Sequence, residues 1–190
     1  MNFVKRFLVL YVLFTLLLFA SGCSANWATE AGNIIRVLIP AVAALLATLT
    51  QIGVPVAVAT AFQAWSGVAE KGLTEVQSLI AAYNAAEATA QPGIIGQIDS
   101  ALDAILSQFN QILATVHVTD AKTQALWTQL ATDFADEVEA LLNLIPVVKG
   151  EITAHDEVVA RVSKLKSAKT FKKEFNEHLA AGGWSEHKIA

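Results

Sequence analysis

Cysteine, methionine and charged residues are all scarce in this chain. It has one Cys and one Met among 190 residues. A single Cys cannot form a disulfide within the chain, which excludes a secreted fold held together by disulfides. Only 16% of the residues are charged and 54% are hydrophobic, whereas an average soluble domain is about 25% charged. The mean hydropathy is +0.49, so much apolar surface must be buried in protein or in lipid.

Basic residues are scarce over most of the chain. Residues 23–148 contain three basic and 11 acidic residues, a net charge of −8, whereas residues 149–190 contain eight basic and six acidic residues, a net charge of +2. A nucleic-acid-binding protein carries a dense basic face. We therefore expect no nucleic-acid partner.

The first 23 residues have the pattern of a bacterial export signal. Lys5 and Arg6 precede an apolar stretch, 7–20, which as a helix would span about 21 Å, short of a hydrocarbon core of about 30 Å. Ala20-Ser21-Gly22-Cys23 follows and resembles a bacterial lipobox, with Ala20 where leucine is commonest. The resemblance implies diacylglyceryl transfer to Cys23, cleavage between Gly22 and Cys23, and acylation of the new amine.

This resemblance predicts where the protein is localised and how it is attached to a membrane. Residues 1–22 are then a signal peptide, and 23–33 a lipidated tether. Ser24 in place of aspartate implies, by resemblance to Gram-negative lipoproteins, the outer membrane facing the periplasm if the host has one. Two alternatives stay open. One is an ordinary signal peptide cut nearby, which leaves a free thiol, and the other is an uncleaved N-terminal anchor.

Residues 37–69 contain no charged residue. Gly53 and Pro55 interrupt this stretch, so it predicts two helices joined by a turn. One interpretation is a pair of helices in the core of a bundle, and the other is a hairpin that inserts into a membrane. Each arm has only about 14 apolar residues, a length more typical of buried core helices, so we favour the core.

A regular apolar stripe follows the break at Gln91-Pro92-Gly93. Its residues recur at steps of three and four, which predicts a helix with a heptad seam. We interpret this seam as a candidate surface for self-association. Its members are Ile95, Ile98, Leu102, Ile105, Phe109, Ile112 and Val116.

The next helix is expected to begin after a Thr119 N-cap and to end at Pro146, with an apolar stripe from Trp127 to Ile145. No strand-like alternation competes with these patterns. Short connections favour antiparallel neighbours. We therefore predict an all-α fold, an up-and-down bundle of about four helices over 34–148.

Residues 149–190 predict a basic, amphipathic, helical C-terminal tail that frays from Trp184 onward. Its lysines are candidates for contact with an anionic surface such as lipid headgroups, lipopolysaccharide or acidic polymers. The plainer interpretation is a solvated face, because acidic residues are interspersed. The lysines are Lys164, Lys166, Lys169, Lys172 and Lys173.

No residue pattern predicts catalysis or a cofactor. Glu151/His155 and Glu174/His178 are spaced i, i+4, but a metal site needs three or four converging ligands, so we expect no metal. His117 is expected to be a turn residue, and the acidic cluster Asp133–Glu139 a solvated helix face. We find no nucleophile elbow and no phosphate-binding loop.

The leading functional hypothesis is a membrane-anchored, non-enzymatic envelope lipoprotein that acts through protein contacts, with a homo-oligomer or an envelope protein as partner. The first alternative is a membrane-active protein of pore or lysis type, whose hairpin 37–69 inserts into the bilayer. The second is an enzyme whose site the sequence does not reveal.

Overall fold

The computed structural model describes the backbone of residues 3–190 and the side chains of residues 27–190. This part of the chain is all-helical, with six α-helices and a short 3-10 helix at Ser185–His187. The α-helices are α1 (Phe3–Gln51), α2 (Val56–Ala85), α3 (Gln91–Leu113), α4 (Ala121–Val148), α5 (His155–Val162) and α6 (Ala168–Ala181).

Consecutive long helices pack as antiparallel neighbours. Trp27, the first residue of α1 whose side chain is described, contacts Tyr83 near the end of α2, with ring centroids 5.2 Å apart. The Trp65 indole N–H donates to the Ile105 carbonyl at 3.2 Å and joins α2 to α3, and Lys149 Nζ lies 2.9 Å from Asp99 Oδ2, where α4 ends beside the start of α3. α4 also packs against α1, so the first four helices contact one another in a closed ring.

An aromatic cluster fills the centre of α2, α3 and α4. Phe62, Trp65, Phe109, Trp127 and Phe134 are all buried. Their rings meet mostly edge to face, with centroids 4.7–6.1 Å apart. Aromatic pairs in this arrangement contribute about 0.5–1.5 kcal/mol beyond the burial of their area.

Residues 37–69 are helical on both sides of a turn, as the sequence predicted. α1 ends at Gln51, Gly53 has a φ of 74°, and α2 begins directly after Pro55. Leu38, Val42, Leu45 and Leu49 are fully buried in the core. The tether predicted over 23–33 is at least partly in the fold, because Ala28 and Ala31 in α1 are also buried.

Two predicted helix ends were wrong. The N-cap of α4 is Asp120 and not Thr119, since Asp120 Oδ2 accepts from the Thr123 backbone N–H at 2.7 Å. Hydrogen bonding to the Thr123 side chain, and then this backbone bond, lower the pKa of Asp120. Pro146 does not end α4, which continues to Val148 before Gly150 turns the chain at a φ of 73°.

The predicted all-α class is confirmed. The described part of the chain has six α-helices, whereas about four were predicted for the bundle, and the last of the six, α6, packs into the core and does not form a separate tail. Phe171, Phe175 and Leu179 of α6 are buried in the same core as α1 and α4. The end of the chain does not fray. Trp184 and Ile189 are buried, and the Asn176 side chain bonds both the N–H and the carbonyl of Ile189.

Two glycines of α2 offer a matched test of this packing. A Cβ at Gly67 would meet nothing within 4 Å, whereas a Cβ at Gly72 would lie 2.9 Å from Ile105 Cδ1 in the core. Gly67→Ala should raise the free energy of unfolding by about 0.5–1 kcal/mol, because alanine favours helix. Gly72→Ala should give no gain or a loss, because overpacking offsets that term. Urea unfolding measures both, and equal gains would contradict the packing of α2 on α3.

Candidate functional site

Two acidic side chains of α4 are buried. Asp133 is 5% exposed and Glu137 is 1% exposed, and both lie where α6 packs against α4. Burying a carboxylate is costly unless hydrogen bonds or opposite charges compensate it. The partners of these two groups therefore define the candidate site.

Asp133 is held by two side chains. Its Oδ2 lies 2.5 Å from His178 Nδ1 of α6, and its Oδ1 accepts from Gln129 Nε2, one turn earlier in α4, at 3.2 Å. This Asp–His contact joins α4 to α6. A protonated His178 would also form an ion pair with Asp133.

Glu137 is held by the segment that leads into α6. Its Oε1 accepts from the backbone N–H of Lys166 at 3.1 Å. The Lys166 ammonium turns to α6, where it lies 2.7 Å from Glu174 Oε2. The next residue, Ser167, caps α6 by accepting from the Thr170 backbone N–H. The cluster of Gln129, Asp133, Glu137, Lys166, Glu174 and His178 therefore fixes where α6 begins and how it lies on α4.

Burial dominates the acid–base properties of the cluster. It raises the pKa of Glu137 from 4.5 to about 7, with smaller upward effects from Glu174 and Asp136, against the opposing effects of the Lys166 amide and ammonium. Burial also raises the pKa of Asp136, and the nearby Glu139 adds to this. Burial by itself would lower the pKa of Lys166, but the hydrogen bond to Glu174 together with the negative charges of Glu174, Asp133 and Glu137 raises it. The same hydrogen bond lowers the pKa of Glu174.

The prediction of a solvated face over Asp133–Glu139 was wrong for Asp133 and Glu137. The sequence does contain a sign of this burial. Asp133 and Glu137 are spaced i, i+4, and each directly precedes a buried apolar residue, Phe134 and Val138. Glu174 and His178 have the same spacing on α6, and both reach this cluster. Neither helix by itself indicates that its acidic side faces another helix.

The hydrogen bonds and ion pairs of the cluster join α4 to α6 and to the segment before α6. The described residues contain no group of three or more His, Cys, Asp or Glu side chains placed to hold a metal ion. A hollow of about 300 Å³ lies elsewhere, between the α2–α3 turn and the end of α4, lined by residues such as Tyr83, Pro92 and Lys149. Glu151 and His155 are exposed and lie apart from the cluster, as does the exposed His117.

The seam predicted for self-association is occupied by the protein's own core. Its residues pack against α2 and α4 within one chain, so in this fold the stripe covers the core. Ile95, Ile98, Leu102, Ile105, Phe109 and Val116 are buried, and Ile112 is half-buried against the same core.

The five lysines proposed for anionic contact divide into two groups. Lys166 is paired with Glu174, and Lys173 Nζ lies 3.8 Å from Glu177 Oε1. Lys164 and Lys169 are exposed and Lys172 is half-buried. Among residues 27–190, these three form no ion pair.

The predicted lipidation and cleavage residues, Cys23 and Gly22, lie outside the residues whose side chains are described.

Comparison of the chain with protein-family models, with curated proteins and with solved structures finds no match.

The seam gives a prediction that separates core packing from self-association. Phe109→Ala should lower the free energy of unfolding by about 3–5 kcal/mol, because it opens a cavity in the aromatic cluster. The sedimentation coefficient of the folded protein should not change. The neighbouring exposed Gln108→Ala is the control and should be close to neutral. A change of oligomeric state in Phe109→Ala without a large loss of stability would restore the seam as an interface.

Glu137 predicts an unusual dependence of stability on pH. Its pKa is higher in the folded protein than in the unfolded chain, so the folded protein holds this proton more tightly. Well below pH 4.5, Glu137 is protonated in both the folded and the unfolded state, so it does not lower the free energy of unfolding. Stability should fall by about 3 kcal/mol as pH rises to about 7 and the buried carboxylate forms, and then stay constant.

Glu137→Gln should remove this fall, because the amide oxygen can still accept from Lys166 without a charge. The variant should equal the wild type near pH 4.5 and exceed it in stability at pH 8. Urea unfolding at several pH values measures the difference, with Glu75→Gln, at an exposed position on α2, as the matched control. A wild-type profile that stays flat over this range would contradict the buried carboxylate.

Proposed function

We propose that this protein is a lipid-anchored bacterial envelope protein whose helical domain is non-enzymatic and acts through contacts with other proteins. The observation that carries the proposal is the short distance in sequence between the anchor and the fold. Cys23 of the lipobox-like sequence is only four residues before Trp27, and Ala28 already lies in the core. Four residues span at most about 14 Å, so such an anchor would hold the domain directly on the membrane.

The chemistry of the described side chains supports a binding domain. The buried acids and their partners are engaged in joining α6 to α4, as Asp133 with His178 and Glu137 with Lys166 show. An acidic or basic catalyst needs a substrate-sized cavity beside it. The hollow of about 300 Å³ is lined by a different set of residues, at the α2–α3 turn.

We also propose how the helices are arranged in this domain. α1, α2, α3 and α4 would form an up-and-down four-helix unit, with α6 as a brace across α1 and α4. The partner would be a second copy or another envelope protein. With Ser24 after the cysteine, the resemblance favours the outer membrane facing the periplasm in a Gram-negative host.

The second candidate is a membrane-active protein whose 37–69 hairpin inserts into the bilayer. One observation favours it: within the described residues, Trp27–Gln51 is long and apolar enough to cross a membrane. Half of that stretch is buried inside the fold, and the same test is passed by core helices of soluble proteins. Insertion would have to expose Leu38, Val42 and Leu45, which the core now covers completely. Vesicle leakage would support this candidate, and its absence would count against it.

The anchor is tested by intact mass of the protein purified from its native membranes. The wild type should start at residue 23 and carry the added mass of acyl chains. Cys23→Ala should lose both the cleavage and the added mass, whereas Ser21→Ala, which keeps a small residue, should be processed normally. An unmodified wild type, with the Cys23→Ala variant still in the membrane, would overturn the lipid anchor and move the inserted hairpin to first place.

A further inference from the structure

We propose that α5 and the basic segment after it contact anionic lipid headgroups beside the N-terminal anchor. This inference rests on the lipid anchor proposed above and adds a second membrane contact made by the folded domain. Three observations carry it: the position of α5, the exposure of its apolar side chains, and the charge of the chain around it.

α5 lies at the end of the domain where the anchor would be. Trp27 and Ala31 of α1 line a common crevice with Leu144 and Ile145 of α4, so the end of α4 is level with the N-terminal end of the described fold. Arg161 of α5 donates from Nη1 to the Asn143 carbonyl at 3.1 Å. This bond places the C-terminal turn of α5 beside that same end of α4. A lipidated Cys23, at most about 14 Å of chain from Trp27, would bring the bilayer surface close to α5.

α5 contributes nothing to the core. It has no buried residue, and within the part of the chain that the structure describes it packs only against α4. Val159 and Val162 are each 51% exposed, and they are two of only four large hydrophobic side chains exposed among residues 27–190. A short helix with an outward apolar side and a charged flank is suited to the boundary between headgroups and acyl chains.

The charge around α5 complements an anionic surface. Residues 149–177, which include Glu174 and Glu177 as the ion-pair partners of Lys166 and Lys173, contain seven basic and five acidic residues, a net charge of +2, whereas residues 23–148 carry −8. Lys164 follows α5 directly and Lys169 lies in the first turn of α6, and both are exposed. Each lysine near an anionic membrane strengthens binding about fivefold.

Acidic residues at this end limit how the domain can approach. Glu151 and Asp156 lie just before and within α5, and Glu30 and Glu87 lie on α1 and the α2–α3 turn. All four are exposed. The expected contact is therefore a tilted one, through the C-terminal turn of α5 and the lysines that follow, and not through the whole end of the domain.

The test uses the mature lipoprotein in vesicles. The chain has a single cysteine, so once Cys23 is acylated an introduced cysteine is the only free thiol. Val162→Cys, labelled with a fluorophore sensitive to water, reports on α5. Val56→Cys is the matched control, because Val56 is 82% exposed and lies at the α1–α2 turn, the opposite end of the domain.

In vesicles of phosphatidylcholine with added phosphatidylglycerol, we expect lipid-borne quenchers to quench the Val162 label and not the Val56 label. Quenching should vanish in phosphatidylcholine alone and at 1 M salt, where the Debye length falls to about 3 Å. Lys164→Gln and Lys169→Gln should each lower the ratio of contacting to free label about fivefold. Lys122→Gln, an exposed lysine at the far end of α4, should leave that ratio unchanged.

Two outcomes would overturn the inference: a Val162 label that stays in water as the Val56 label does, or equal quenching in neutral and anionic vesicles. Failure of the anchor looks different. It would appear as an unmodified Cys23 in the mass spectrum and as labelling of the wild-type thiol, before any vesicle measurement is made.

Discussion

α1 between Trp27 and Gln51 is apolar on nearly all its sides, and such a helix is stable only where other helices or lipid cover it. Here the cover comes from α2, α4, α6 and the 3-10 helix, all of which contact α1. Leu38, Ala41, Val42, Leu45 and Leu49 have no exposed surface. Even Thr48 is buried, and its hydroxyl donates to the Leu45 carbonyl in the same helix. The rest of the domain is arranged to cover the buried half of this one helix.

Enclosing α1 with α6 places polar groups against the core. α6 brings Phe171, Phe175 and Leu179 to α1 and α4, and its other side brings His178 and Glu174 to the acids of α4. A buried ion pair is seldom a large net source of stability, because desolvation offsets the attraction. Its value here is geometric, since the bonds of Asp133 and Glu137 fix the register of α6. At the other end of α6, Gln51 donates to Glu186 at 3.0 Å and ties α1 to the last turn of the chain.

How far the sequence alone could lead differs from one element to another. The break at Gly53 and Pro55, the start of α3 near Pro92 and the stripe from Ile95 to Phe109 could all be predicted, since each depends on residues close in sequence. The burial of Asp133 and Glu137 could not, because it depends on α6, which begins 31 residues after Glu137. The burial of Trp184 and Ile189 could not be predicted for the same reason, because the hydrogen bonds of Asn176 to Ile189 form only when the chain folds back over α6.

The sequence by itself determined that this chain is helical, that residues 1–23 resemble a lipoprotein signal, and that a large apolar surface needed cover. Periodicity and composition are local properties, and they set which residues of a helix are apolar. Only the tertiary structure decided what covers each apolar side. It assigned the heptad stripe of α3 to the protein's own core, and it left α5 with its valines outside, because α6 and not α5 takes the remaining surface of α1 and α4.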